Sequence, residues 1–200
     1  MLDSFLTIQK NCEGLYKEKG SKFFGYAFPV SDEGEIKKTI AQLKKEHHSA
    51  RHWCYAFRLG ADKKLFRAND DGEPSGTAGK PILNQIISAD LTNVLIVVVR
   101  YFGGTLLGTS GLITAYKSSA AETLSNATII TKYISEMCKV RFDTELTNEV
   151  MRRLKEFDAE IINHTFNAQN EITFTVRLSF IEKLITHFKQ NNIHCEKIKL

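Results

Sequence analysis

Hydrophobic positions along the chain change period several times, and each change marks an element. From Phe5 to Val30 β-branched and aromatic residues crowd together, with Gly14, Gly20 and Gly25 as breaks, which predicts strands joined by turns. Ser31-Asp32 then offers side-chain acceptors to free backbone N–H groups. Ile36, Ile40 and Leu43 follow on one helical face, with Lys37, Lys38, Lys44 and Lys45 facing water. Trp53–Leu59 and Leu65–Ala68 read as two strands around a turn at Gly60-Ala61-Asp62. Pro81 suits the first turn of a helix with Ile82, Leu83, Ile86 and Ile87 as its apolar face. Val94–Val99 is apolar without alternation, the mark of a strand covered on both faces. A further helix runs to about Ser125, with Leu112, Ile113, Tyr116, Ala120 and Leu124 inward.

After Asn126 the pattern changes. Tyr133–Phe142 reads as a strand, and Glu145–Phe157 as a helix carrying Val150, Leu154 and Phe157 on one face. Glu160–Phe166 and Ile172–Leu178 are strands around a turn at Asn167-Ala168-Gln169-Asn170; Ile181–Gln190 is a helix and His194–Leu200 a closing strand. That order, βαββαβ, is the ferredoxin-like split βαβ unit. The expectation is an α+β protein of two domains, residues 1–130 and 131–200.

Between the strands of the first domain lie two glycine-rich stretches, Asp70–Lys80 and Arg100–Gly111. If the helix at Pro81 packs antiparallel on Val94–Val99, its start lies at the strand's far end, where the second stretch leaves. Two helix N-termini then converge, each with unpaired N–H groups and about half a positive charge. Glycines permit close backbone approach. The expected anion or nucleic-acid site comprises Ser75, Gly76, Thr77, Gly79 and Lys80 from the first stretch. From the second come Arg100, Gly103, Gly104, Gly108, Ser110 and Gly111, with Lys22 and Arg51 beside them. The same glycines also serve tight turns, and Arg100 can instead pair with Asp70, Asp71 or Glu73 across the loops.

Other chemistry is thin. A Walker A match ending at Gly79-Lys80 puts Pro74 in place of its first Gly and Pro81 in place of its hydroxyl. His47, His48 and His52 flank a helix end near Cys54 without further metal ligands in sight. Cys12, Cys54, Cys138 and Cys195 form no CxxC pair and suit a reducing cytoplasm. The N-terminus reads as no signal peptide, and the longest apolar run is too short to span a bilayer. A formal charge of +4 permits nucleic-acid contact without demanding it. In the second domain basic and acidic residues nearly balance, and its open sheet face shows one tyrosine, Tyr133, among Met137, Lys139, Arg141, Thr173, Thr175 and Arg177.

The stretches DDGEPSGTAGKPIL and NVLIVVVRYFGGTLLGTSGLITAY, with GSKFFGYAFPV and ARHWCYAF upstream, resemble the signature of the YigZ/IMPACT family. The resemblance covers nearly the whole chain, weakly in the second domain. It implies an N-terminal domain like domain IV of elongation factor G, with the ribosomal-protein-type β-α-β superfold, and a C-terminal domain like domain V. It also implies a role in translation, since eukaryotic relatives regulate a translation-initiation-factor kinase pathway through protein contacts. The family usually has Arg at Lys22, His at Trp53 and Gly at Ser110. The expected function is a cytoplasmic, translation-associated binding protein for RNA, the ribosome or a translation factor, with no cofactor and no metal. The alternatives are a metal-dependent hydrolase using Asp70, Asp71 and Glu73, or a pure protein-interaction module.

Overall fold

The computed structural model describes residues 3–166 and 169–198. Two compact units emerge, one over Phe5–Lys132, whose first and last strands each reach one residue past these bounds, and one made of the described residues on either side of it.

In the first unit the strands are β1 (Ser4–Ile8), β2 (Cys12–Glu18), β3 (Ser21–Pro29), β4 (His52–Leu59), β5 (Leu65–Asn69), β6 (Val94–Tyr101) and β7 (Ile129–Tyr133). The helices are α1 (Glu33–Glu46), α2 (Gly79–Ser88) and α3 (Gly108–Ser125). Five strands form an antiparallel sheet in the order β2-β3-β6-β4-β5, and β1 pairs with β7. Central strand β6 explains its unbroken apolar run. Val94, Ile96 and Val98 join the core beneath α2 and α3, while Leu95, Val97 and Val99 join the core beneath α1.

Local chemistry starts α1 as expected. The Asp32 carboxylate accepts from Glu35 N–H at 2.9 Å, and Glu35 accepts in return from Ser31 N–H at 2.8 Å. Two glycines differ from expectation. Gly14 and Gly25 do not break strands; they face each other inside β2 and β3. A Cβ on Gly14 would come within 2.7 Å of the Thr123 backbone nitrogen, and one on Gly25 would overlap Thr123 Oγ1. The pair makes a notch that lets α3 lie close against the sheet. The region of the expected domain boundary continues into Tyr133, expected to open the next strand, as a separate strand Ile129–Tyr133, because β1 offers it a partner.

The second unit contains β8 (Ser135–Phe142), a 3₁₀ turn at Thr144–Leu146, α4 (Thr147–Glu156), β9 (Glu160–Phe166), β10 (Asn170–Arg177), α5 (Leu178–Gln190) and β11 (His194–Lys197). The βαββαβ order is present, with sheet order β11-β8-β10-β9. Cys138, Val140, Phe142, Ile172, Phe174 and Val176 meet Val150, Leu154, Ile181, Leu184 and Phe188 of the helices. Asn167 and Ala168 of the expected turn, and the last two residues of the expected closing strand, lie outside the described residues; Asn170 already belongs to β10.

Glu149 ties the two helices of this unit together. Its carboxylate accepts from Arg152 at 2.6 Å, from His187 at 3.0 Å and from Arg153 at 3.1 Å. Arg152 foremost, then His187 and Arg153, hold its pKa down from 4.5 to about 2. A carboxyl depressed on folding stabilises above its unfolded pKa, and that contribution fades as pH falls through the folded value. Glu149→Gln should therefore flatten the pH dependence of thermal stability between about pH 4.5 and 2. Acid melts of the two proteins with parallel slopes in that window would refute this.

Candidate functional site

The two glycine-rich stretches meet at the C-terminal end of β6. His52 of β4 and Phe23 of β3 both lie opposite Arg100, so the loops leaving these strands share one end of the sheet. The Arg100 guanidinium donates to Glu73 Oε1 at 2.6 Å, bridging the loops directly.

What gathers there differs from an open electropositive hollow. Asp70 fills the start of α2. Its oxygens accept from the backbone N–H groups of Gly76 at 2.9 Å, Ala78 at 2.9 Å and Gly79 at 2.8 Å. Burial pushes the Asp70 carboxyl up, yet the amides of Gly76, Gly79 and Ala78 outweigh it and hold the pKa below the ordinary value. The positive end of α2 is thus answered from within. Arg100 is only 6% exposed and lies against Glu73, with Phe23 and Phe102 beside the guanidinium. A buried cation without a counter-charge is too costly to leave open to water-borne ligands.

The network continues inward. Tyr116 Oη donates to Glu73 Oε1 at 2.8 Å, and Cys54 Sγ lies 3.3 Å from Tyr116 Oη and 2.9 Å from the Asp70 carbonyl oxygen. Burial pushes both the Cys54 thiol and the Tyr116 phenol well up. Cys54 is therefore a protonated packing group, the opposite of an activated nucleophile. Asp71 accepts from Trp53 N–H at 2.8 Å and from Lys44 at 3.2 Å. Asp70, Asp71 and Glu73 are each bonded to different protein groups. They form no shared cation cage, and the described residues hold no cluster of three or more His, Cys, Asp or Glu suited to a metal. That arrangement disfavours the hydrolase reading.

The start of α3 is different. No side chain caps it, and Gly108, Thr109 and Ser110 are exposed, with Gly111 half-buried. Gly104 and Gly108 adopt φ of +87° and +69°, conformations that favour glycine. Gly103 rests on the β2–β3 turn: its N–H donates to Ser21 Oγ at 3.1 Å, and a Cβ there would overlap the Gly20 backbone. Lys80, Lys22, Arg51 and Ser75 are exposed, whereas Thr77 and Gly79 are buried and Thr77 donates to the Pro74 carbonyl at 2.6 Å. A groove of about 780 Å³ between α2 and α3 is lined by Gly76, Lys80, Ile87, Ile113 and Lys117 among others. Ile87 and Ile113, expected inward, are 46% and 42% exposed along it. Lys80, Lys117, Lys22 and Arg51 have no ion-pair partner among the described residues.

The sequence singled out neither Lys117 nor Phe102. Lys117 follows Ile113 by one helical turn, a spacing that could have placed both on one edge of α3. His47, expected as an exposed residue, is held between Tyr26 Oη at 2.8 Å and Tyr101 Oη at 2.9 Å. Nothing local announces that contact, since its partners lie on β3 and β6.

The sheet of the second unit offers little to a nucleobase. Arg177 covers Tyr133 with its guanidinium 3.8 Å from the ring centroid. Lys139 and Arg141 both pair with Glu171, at 2.7 and 2.8 Å.

The sequence profile of the Impact N-terminal domain matches residues 19–124, which include β3, β4, β5 and β6 of the sheet and both glycine-rich stretches. The chain belongs to the IMPACT family. It is 34% identical to IMPACT family member YvyE of Bacillus subtilis (strain 168), over 86% of this chain and 80% of that protein. It is 36% identical to IMPACT family member YigZ of Escherichia coli (strain K12), over 75% of this chain and 74% of that one. Among solved structures, one described as a hypothetical protein is similar over 100% of this chain and 99% of its own, with a TM-score of 0.74 and 27% identity. Among its described residues this IMPACT-family chain has no helix long and apolar enough to cross a membrane.

Proposed function

We propose that this IMPACT-family chain is a regulatory binding protein of translation that engages RNA or the ribosome. The face it uses is formed by the start of α3 and the α2–α3 groove. The observation that carries this reading is the contrast between the two helix starts. Asp70 closes the amides of α2, while those of α3 stand uncapped in an exposed glycine-rich turn. Backbone phosphate suits such a turn, and Lys80 and Lys117 border the adjoining groove. Family membership supports the translational setting. Arg100 and Glu73 hold the loops in place beneath this face and make no ligand contact.

Lys80→Ala with Lys117→Ala should weaken RNA binding about equally across sequences and lower the salt slope by roughly 1 to 2. Fluorescence anisotropy over a range of salt concentrations measures both. Unchanged affinity and slope would dismiss the face. The second reading, a protein-interaction surface, draws on Leu106, 85% exposed on the same loop. In that case Leu106→Asp abolishes partner capture while the lysine pair has no effect.

A further inference from the structure

Helix α1 ends beside the C-terminal end of β6, where His47 meets Tyr101, and a hollow of about 330 Å³ lies there. Gly20, Lys22, Phe24, His47, Tyr101 and Phe102 line it. Lys22 and Tyr101 are direct neighbours across β3 and β6, and Phe24 stands two residues further along β3 on the same side. His47, immediately after α1, closes the back.

The walls are pre-set. Both imidazole nitrogens of His47 are taken by tyrosine hydroxyls, Nε2 by Tyr26 and Nδ1 by Tyr101. Phe24 stands edge-on to Tyr101 with centroids 5.7 Å apart, and His47 lies 5.8 Å from Phe24 and 5.9 Å from Tyr101. With their polar atoms occupied by one another, the walls present ring surface to whatever enters. Phe102, 53% exposed, adds a further aromatic face at the mouth and has the Arg100 guanidinium 5.6 Å from its centroid. Lys22 supplies a solvent-facing cation with no ion-pair partner among the described residues.

We infer that this aromatic cup receives one unpaired base of single-stranded RNA, with Lys22 taking the attached phosphate. A planar π-system beside an anion matches rings beside an ammonium group, and every base has such a face. An aliphatic peptide side chain would leave the cation unused. A duplex keeps its bases stacked inside and cannot deliver one to the cup. The inference deepens the RNA reading by naming the nucleotide state that is recognised, and its test separates the two.

Phe102→Leu keeps an apolar cover over Arg100 and removes the ring. It should bind a 12-nucleotide single-stranded oligoribonucleotide roughly 5- to 100-fold more weakly than the parent, with the salt slope unchanged. Phe102→Trp should retain affinity, and the parent should prefer the single strand to the same sequence as a duplex. Titration with AMP or UMP should move the ring proton resonances of Phe102 and Tyr101, and ribose 5-phosphate should not. If lysine variants weaken RNA binding while Phe102→Leu does not and nucleotides leave those rings unmoved, the cup is overturned and the phosphate face stands. If RNA does not bind at all but nucleotides still shift the rings, the RNA reading falls and the base site remains. If neither RNA nor nucleotides bind, both fall.

Discussion

Glu73→Gln should lower the stability of the first unit by about 3–5 kcal/mol, because it leaves the Arg100 guanidinium buried without a counter-charge. For a unit of this size that is a fall of roughly 10–20 °C in Tm. Both side chains are almost entirely removed from water, 7% and 4% exposed, so solvent cannot make up the lost attraction. Arg100 Nε already lacks a hydrogen-bond partner, so the intact pair is itself imperfectly compensated. Replacing all the coupled polar groups with apolar ones, Glu73→Leu with Arg100→Met and Tyr116→Phe, should then restore stability to near that of the parent or above it. Tyr116→Phe removes the hydroxyl shared by Glu73 and Cys54 and should cost about 1–3 kcal/mol. Calorimetric melts of the four proteins decide the matter. A glutamine variant within about 1 kcal/mol of the parent would show that the pair is not a desolvated charge couple.

Gly25→Ala is the second large effect. Its new methyl group overlaps Thr123 Oγ1, with Ser119 Oγ at 3.1 Å and the Ser119 carbonyl oxygen at 3.2 Å close behind. Overpacking of this kind costs about 1–3 kcal/mol, here toward the upper end because three oxygens crowd the site. Adding Thr123→Ala should recover more than half of the loss. The Thr123 hydroxyl donates only to the Ser119 carbonyl, at 2.8 Å, so its removal strands no donor. Gly14→Ala is the control. Its methyl group meets the Thr123 backbone nitrogen and Cα at 2.7 and 2.8 Å, which Thr123→Ala leaves in place, besides Thr123 Oγ1 at 2.9 Å, so a clearly smaller rescue is expected there. Equal rescue of both glycine variants would refute the notch geometry.

Much of the architecture was legible because it is written at short range. The apolar run Val94–Val99 announces a strand with two covered faces, and β6 separates α1 from α2 and α3. Ser31-Asp32 marks the start of α1 through bonds spanning only three and four residues. The βαββαβ order of the second unit follows from alternations of period within single elements. The meeting of the two glycine-rich stretches was also legible, since it needs only an antiparallel helix beside a strand.

The character of the site was much less so. Asp70 could serve a metal or cap backbone N–H groups, and Arg100 could serve a ligand or an acidic partner; in the structure Asp70 caps α2 and Arg100 is buried against Glu73. Either arrangement is compatible with the same residues, as the open alternative of an Arg100 pair shows. The glycines at 14 and 25 carry the signature of a turn as readily as that of a notch. His47 and Phe102 gain meaning only from neighbours on other strands.

Residue order alone settled most of the stretches that become strands or helices, since periodicity and capping operate within a few positions of each other; the strand Ile129–Tyr133 needed β1 as its partner. Which carboxylate meets which cation, which glycines yield room to α3, and which aromatic rings enclose a hollow were decided only when the chain closed on itself. Those contacts join residues tens of positions apart, such as the 27 separating Glu73 from Arg100. Their energies depend on burial and distance, quantities that exist only once the sheet and its helices are packed.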